Sequence, residues 1–217
     1  NLILADEINR APAKVQSALL ECMQERQVTI GEETYVLDDP FLVLATQNPI
    51  EQEGTYPLPE AQLDRFLMKI IIDYPTMDEE LQVVSAVTSA PGAKGLDPRG
   101  VEQVCDSGTI IEAQRLTAMV KVVPEVIDYA LRLTRLTRES HGMSLGAGTR
   151  GAISLVQVAK AYAIMGGRDY VIPDDVKQAS LPVLRHRIQV APEVAISGQN
   201  TDDLLSSSLE AVGAPRL

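Results

Sequence analysis

Cysteine, histidine, aromatic residues and basic runs are all scarce in this chain. Its 217 residues include two Cys, two His, two Phe and no Trp. Cys22 and Cys105, with His141 and His186, lack the paired spacing of a Cys/His zinc site. Cys22 falls on the apolar stripe of a predicted helix and reads as a core residue. His141 precedes Gly142 in a loop, and His186 stands between Arg185 and Arg187, so both read as surface or packing residues rather than catalytic bases. No apolar run approaches the ~20 residues that span a bilayer, and no signal peptide opens the chain. With the sparse cysteine, this points to a cytoplasmic protein with no membrane partner. The net charge is −11 and the isoelectric point about 4.6. Most of the excess lies in residues 1–75, which hold 13 acidic and 5 basic residues. Nucleic acid is gripped through Lys and Arg contacts to phosphate, so no nucleic-acid partner is expected. Hydrophobic residues at 45% and charged residues at 23% suffice for a sizeable core in one large or two small domains.

What is present is ordered in two styles. Leu2–Ala5 and residues 41–45 are short apolar runs that read as buried parallel strands, and residues 68–72 read as a third. Pro12 opens a helix whose Val15, Ala18, Leu19, Cys22 and Met23 recur at helical spacing. Residues 28–37 form two β-branched runs around Gly31, which predicts a hairpin. A Gly/Pro-rich loop at 51–59 leads into a short helix at 60–66. Beyond residue 76 the pattern is helical: 77–88, 112–120, 124–137, 149–165, 173–187 and a short helix at 202–212. Loops are expected at 89–100 and 140–148. There is no internal repeat. Alternating strands and helices followed by helices alone predict an α/β unit over residues 1–75 and an all-α unit over 76–217.

The chemistry gathers where apolar runs stop. Leu2–Ala5 ends in Asp6-Glu7, and residues 41–45 end in Thr46-Gln47-Asn48-Pro49. Open α/β sheets place ligands at the C-terminal ends of their strands. An Asp there can hold Mg²⁺ while a Glu polarises water, the Walker B arrangement of nucleotide hydrolases. An Asp-Glu pair at a helix start, complementing the helix dipole, is the plainer reading. The phosphate-cradling motif G-x-x-x-x-G-K-[ST] occurs nowhere in the chain. The sequence therefore reads as the back half of an ATPase, with water-activating parts and no main phosphate cradle.

Seven segments make the reading specific. Leu4-Ala5-Asp6-Glu7-Ile8-Asn9-Arg10, Ala45-Thr46-Gln47-Asn48-Pro49, Leu58-Pro59-Glu60-Ala61-Gln62-Leu63-Asp64-Arg65-Phe66 and Gly146-Ala147-Gly148-Thr149-Arg150 stand in fixed order. Gly167-Arg168-Asp169-Tyr170-Val171, with Pro173-Asp174-Asp175-Val176 and Val183-Leu184-Arg185-His186-Arg187, completes the series. Over nearly its whole length the chain resembles the MoxR family of AAA+ ATPases.

That resemblance implies the C-terminal half of a AAA+ (P-loop NTPase) parallel-sheet core followed by a helical lid. It implies ATP and Mg²⁺ as cofactors. Asp6 resembles the Mg²⁺-holding Walker B carboxylate, Glu7 the residue that deprotonates attacking water, and Asn48 sensor 1, a neutral amide facing that water and the γ-phosphate. Arg65 resembles the arginine finger that reaches a neighbouring subunit's nucleotide. Arg150 resembles sensor 2, touching phosphate in its own subunit. Standing alone, Asn48 also reads as a turn residue before Pro49, Arg65 as a surface arginine paired to Asp64 or Glu60, and Arg150 as a solvated helix-start residue. The resemblance further implies a ring, a hexamer when intact, acting on client proteins that often carry von Willebrand A domains. The hairpin at 28–37 resembles one that in related machines faces a pore or a partner. A magnesium-chelatase-like motor subunit and a non-catalytic interaction fragment are the alternatives. Asp6, Glu7 and Asn48 should cluster at one sheet end, with Arg65 on a different surface, and a sheet this short should leave an apolar face open.

Overall fold

The computed structural model describes residues 1–48, 58–89 and 100–216. Most of the predicted loops at 51–59 and 89–100, and Pro49, lie outside them. Strand β1 (Leu2–Ala5) pairs in parallel with β4 (Leu42–Ala45), in register from Leu2 opposite Leu42 to Ala5 opposite Ala45. Side chains alternate across a strand, so Leu2, Leu4, Leu42 and Leu44 share one face. That face is open, with these leucines 50–72% exposed. The strands are thus half-buried on one side only, not buried on both as their apolar runs suggested, and the expected open apolar face is present.

Between β1 and β4 run a 3-10 turn (Ile8–Arg10), helix α1 (Ala13–Glu25) and a hairpin of β2 (Gln27–Ile30) and β3 (Glu33–Val36). Helix α1 buries Gln16, Leu20 and Cys22, and the Gln16 amide donates to the Ile8 carbonyl at 3.2 Å. The hairpin is antiparallel, with Gln27 opposite Val36. Gly31 takes φ +67 at the first position of its two-residue turn, where a left-handed backbone favours glycine.

Residues 68–72 do not form the predicted third strand. Among the described residues no strand lies beside them, and a strand exists only where another backbone pairs with it. The segment is instead tied to the helical part: Lys69 N–H donates to the Pro182 carbonyl at 2.8 Å, and Arg185 donates to the Lys69 carbonyl at 3.3 Å.

The helical part follows as α3 (Met77–Thr88), α4 (Ser107–Met119), α5 (Pro124–Glu139), α6 (Thr149–Met165), α7 (Pro173–Leu184), α8 (Pro192–Ile196) and α9 (Thr201–Glu210). Helix α4 starts five residues earlier than predicted because the Asp106 carboxylate caps it, accepting from Thr109 N–H at 2.7 Å. A short antiparallel pair adds to the helices: β5 (Met143–Leu145), within the predicted loop at 140–148, with β6 (Gln189–Val190) beyond α7. The core joins Val126, Tyr129 and Leu133 of α5, Leu155 and Ala159 of α6, Val176, Val183 and Leu184 of α7, and Leu205 of α9. Among the described residues no helix is long and apolar enough to cross a membrane.

Two buried polar arrangements carry measurable consequences. Asp175, at the third position of α7, accepts Ile172 N–H at 2.9 Å and both ends of the Arg168 guanidinium at 2.6 and 2.7 Å. Burial pushes its carboxyl upward, but the Arg168 fork and the Ile172 amide outweigh this and hold it below the usual carboxylate range. Asp175→Asn leaves Arg168 with a poorer partner and should lower stability by about 2–3 kcal/mol. Thermal unfolding checks this, and a loss below about 0.5 kcal/mol would show that the pair contributes little.

His186 is the second. Its Nε2 lies 3.0 Å from the Phe66 carbonyl, which can only accept, so Nε2 carries the proton. Burial, reinforced by the Arg187 charge, pushes its pKa from 6.5 to about 4. Unfolded His186 takes a proton that the folded ring refuses. Stability from the neutral ring is complete above pH 6.5 and is lost as pH falls toward 4. Replacing it by Gln, which keeps one N–H donor, should flatten the fall in unfolding free energy across this window by up to about 3 kcal/mol. Urea titrations at several pH values measure it; identical slopes for the two proteins would refute the assignment.

Candidate functional site

The strand register builds the first half of the site. Because Ala5 lies opposite Ala45, Asp6 and Thr46 leave the two strand ends side by side. Thr46 Oγ1 donates to Asp6 Oδ1 at 2.5 Å and accepts Glu7 N–H at 2.8 Å. The Thr46 carbonyl accepts Ile8 N–H at 3.0 Å, so one threonine organises the whole Asp6-Glu7-Ile8 turn. Glu7 is held at φ +49, a left-handed conformation that costs a non-glycine residue about 1–2 kcal/mol. Its carboxylate pairs with Arg10 at 3.1 Å and stays partly exposed. Asn48 follows two residues after Thr46. Two peptide units span at most about 7–8 Å, so it belongs to the same sheet end. Thr46 had no role in the sequence reading beyond its motif; its place beside Asp6 comes from the β1–β4 register, which the sequence does not state.

This cluster can hold a divalent cation only in one way. Among the described residues no group of three or more His, Cys, Asp or Glu could cage a metal. A single exposed carboxylate beside a hydroxyl suits Mg²⁺, which keeps several waters and takes its other ligands from phosphate. Asp6 fits that role: it is exposed, and Thr46 anchors its Oδ1.

The second half lies on residues 60–69. Helix α2 (Glu60–Leu63) ends at Asp64, and Arg65 follows on the exposed turn. Arg65 hydrogen-bonds the Gln24 side chain of α1. It pairs with neither Asp64 nor Glu60, and no contact joins it to Asp6 or Glu7 among the described residues. Asp64 instead binds two other arginines. Its Oδ2 takes Arg150 Nη1 at 2.9 Å, and its Oδ1 takes Arg187 Nε at 2.9 Å. Arg150, in the first turn of α6, is 47% exposed, whereas the Arg187 side chain is 1% exposed. The loop before Arg150 sits hard against α5: a Cβ on Gly146 would meet the Thr137 carbonyl at 2.6 Å, so only glycine permits this approach. Thr137 Oγ1 accepts Ala147 N–H at 2.9 Å, and Arg138 Nε donates to the Ala147 carbonyl at 2.7 Å. A cavity of about 410 Å³ opens here, lined among others by Asp64, Lys69, Gly146, Arg185, His186 and Arg187. Of the two histidines, His141 is exposed and His186 packs under Phe66, as their sequence settings implied.

The arrangement matches known proteins along its length. The profile described as "ATPase family associated with various cellular activities (AAA)" matches residues 1–68, and that described as "AAA lid domain" matches residues 135–208. The chain is 42% identical to the chaperone MoxR1 of Mycobacterium tuberculosis, covering 100% of this chain and 58% of that protein. It is also 42% identical to the uncharacterized protein YeaC of Bacillus subtilis, covering 99% of this chain and 66% of that one. A magnesium-chelatase subunit ChlI homolog of Methanocaldococcus jannaschii is more distant, at 27% identity over 88% of this chain and 51% of that protein. The crystal structure of a "putative ATPase" of Cytophaga hutchinsonii superposes with a TM-score of 0.88 at 44% identity, over 100% of this chain and 67% of that one. The chain thus spans roughly three-fifths to two-thirds of the nearest of these relatives. A parallel strand pair ending in Asp-Glu, a helical lid and these relatives agree: the chain belongs to the MoxR family of AAA+ ATPases.

Proposed function

We propose that the protein to which these residues belong hydrolyses ATP in a ring and uses that cycle to remodel or mature client proteins. The observation that carries this reading is the Asp6–Thr46–Glu7 junction at the C-terminal end of a parallel strand pair, where open α/β sheets place ligands. Residues 1–75 form the α/β core and 76–217 the lid in this reading. Mg²⁺, when bound with ATP, neutralises phosphate charge; Asp6 holds it in place. Glu7 leaves its Arg10 pairing to orient and deprotonate water, and its fixed backbone aims the carboxylate. Asn48 hydrogen-bonds the same water without adding charge. Arg65, exposed and away from its own Asp6, serves a neighbouring subunit's nucleotide. Arg150 senses phosphate from the lid once its ion pair with Asp64 opens.

The ring as a hexamer, clients with a von Willebrand A domain, a pore- or partner-facing hairpin at Gln27–Val36 and a cytoplasmic location complete the proposal. The chaperone name of one 42% identical relative supports it over a magnesium-chelatase-like motor, whose relatives match at 26–28%. A non-catalytic interaction fragment would bind no nucleotide even at high ATP concentration.

In the full-length protein, Glu7→Gln should abolish turnover while ATP still binds. Arg65→Ala should slow turnover roughly 10³-fold. Mixing the two should restore some activity, because an interface can then combine an intact base with an intact finger. Wild-type turnover by Arg65→Ala would remove the trans-acting role. The isolated 217-residue chain has no G-x-x-x-x-G-K-[ST] cradle. Calorimetry on it should show no ATP binding tighter than ~1 mM, about 4 kcal/mol. Micromolar binding would reveal a phosphate site other than the one described.

A further inference from the structure

A charge hidden from water must have a reason to be there. Arg187 has one of the least exposed charged side chains in the chain, at 1%, and every part of its guanidinium is used. Nε donates to Asp64 Oδ1 at 2.9 Å. Nη2 donates to the Asp64 carbonyl at 3.0 Å, the Phe66 carbonyl at 2.7 Å and Ser154 Oγ at 3.2 Å. Nη1 donates to the Leu67 carbonyl at 3.1 Å and to the Val183 carbonyl of its own helix end. Three of the four accepting carbonyls are those of residues 64, 66 and 67, so the fork clasps the backbone on both sides of Arg65. His186 adds the second bond to the Phe66 carbonyl, and Lys69 N–H is tied to Pro182. Residues 64–69 have no strand partner among the described residues, so these bonds from the end of α7 fix their course.

We infer that Arg187 is the positioning residue for Arg65: from the lid it clasps the backbone around the finger and sets the finger's reach toward the neighbouring subunit. The inference rests on the finger role proposed for Arg65. A flexible ammonium cannot imitate the clasp. Lysine carries three donors at one point, whereas the arginine fork spreads five N–H groups across a plane that reaches four carbonyls, a hydroxyl and a carboxylate. Asp64 has two duties in the same device: it neutralises the buried charge and, through Oδ2, draws in Arg150. Lid orientation and finger position in one protomer are therefore mechanically one variable.

The test uses full-length rings. Arg187→Lys keeps the charge and loses the fork, and Asp64→Asn keeps the shape and loses the ion pair. Each should retain ATP affinity and slow turnover by about 10²-fold, the scale expected when a reacting group is misplaced by about 1 Å. The deciding readout is complementation. Rings mixed from Arg187→Lys and Glu7→Gln subunits should turn over faster than either parent, because the Glu7→Gln subunit supplies a correctly held finger to its neighbour's intact base. A residue that only stabilises its own fold gives no such recovery. Arg65→Ala is run in parallel. If Arg65→Ala is complemented but a folded Arg187→Lys is not, the positioning role falls and the finger stands. If Arg65→Ala is as active as wild type, the finger reading itself falls. If circular dichroism shows both Arg187→Lys and Asp64→Asn unfolded, the cluster is a stability element of the lid and the inference is overturned.

Discussion

One buried guanidinium holds the α/β part of this chain to its lid. Moving a charge of that size out of water costs several kcal/mol, and the cost is offset only where a counter-charge and a full set of acceptors await it. Arg187 finds Asp64 as counter-charge and carbonyls of residues 64, 66, 67 and 183 as acceptors. Burial lowers the guanidinium's proton affinity, and the Asp64 carboxylate works against that. The same atoms supply what residues 64–69 would otherwise obtain from a neighbouring strand. A segment read from its apolar residues as a strand is thus kept in place by side-chain bonds to a helix end.

The other organising contact is the register of β1 against β4. It is a backbone property, yet it sets the chemistry, because it brings Thr46 to the carboxylate of Asp6 and the amide of Glu7. The left-handed Glu7 is tolerated because three bonds to Thr46 and its neighbours over-determine the turn. The two clusters are arranged differently. Asp6, Glu7 and Thr46 gather at a strand end, where ligands approach open sheets. Arg65, Asp64, Arg150 and Arg187 gather where residues 60–69 meet the lid. Under the roles proposed for Glu7 and Arg65, this separation would suit a site shared between subunits.

Much of this was legible in the residues. Apolar runs ending in Asp6-Glu7 and Thr46-Gln47-Asn48, the hairpin around Gly31, and the helices from Met77 onward follow from periodicity and punctuation, which are local properties. Family motifs named Asp6, Glu7, Asn48, Arg65 and Arg150. The partners of those residues were not legible. Asp64 stands next to Arg65 and reads as its ion-pair partner, yet it binds Arg150 and Arg187, which follow 86 and 123 residues later. Arg185, His186 and Arg187 look alike as a polar run after a helix. Only the packing separates them, sending Arg187 inward, His186 to the Phe66 carbonyl and Arg185 to Asp202 at 2.8 Å.

The sequence by itself determined the strands Leu2–Ala5 and Leu42–Ala45, the hairpin and most of the helices, the polar chemistry at the ends of two strands, and membership of a nucleotide-hydrolase family, because each depends on residues close together in the chain. Tertiary structure alone decided that residues 68–72 are not a strand, that one face of the β1–β4 pair is open, that Thr46 meets Asp6 and Glu7, and that Arg187 is buried against Asp64. Each of those depends on what lies alongside. A strand needs a partner's backbone, burial needs a covering layer, and a buried charge needs acceptors, and no one-dimensional pattern records whether the folded chain supplies them.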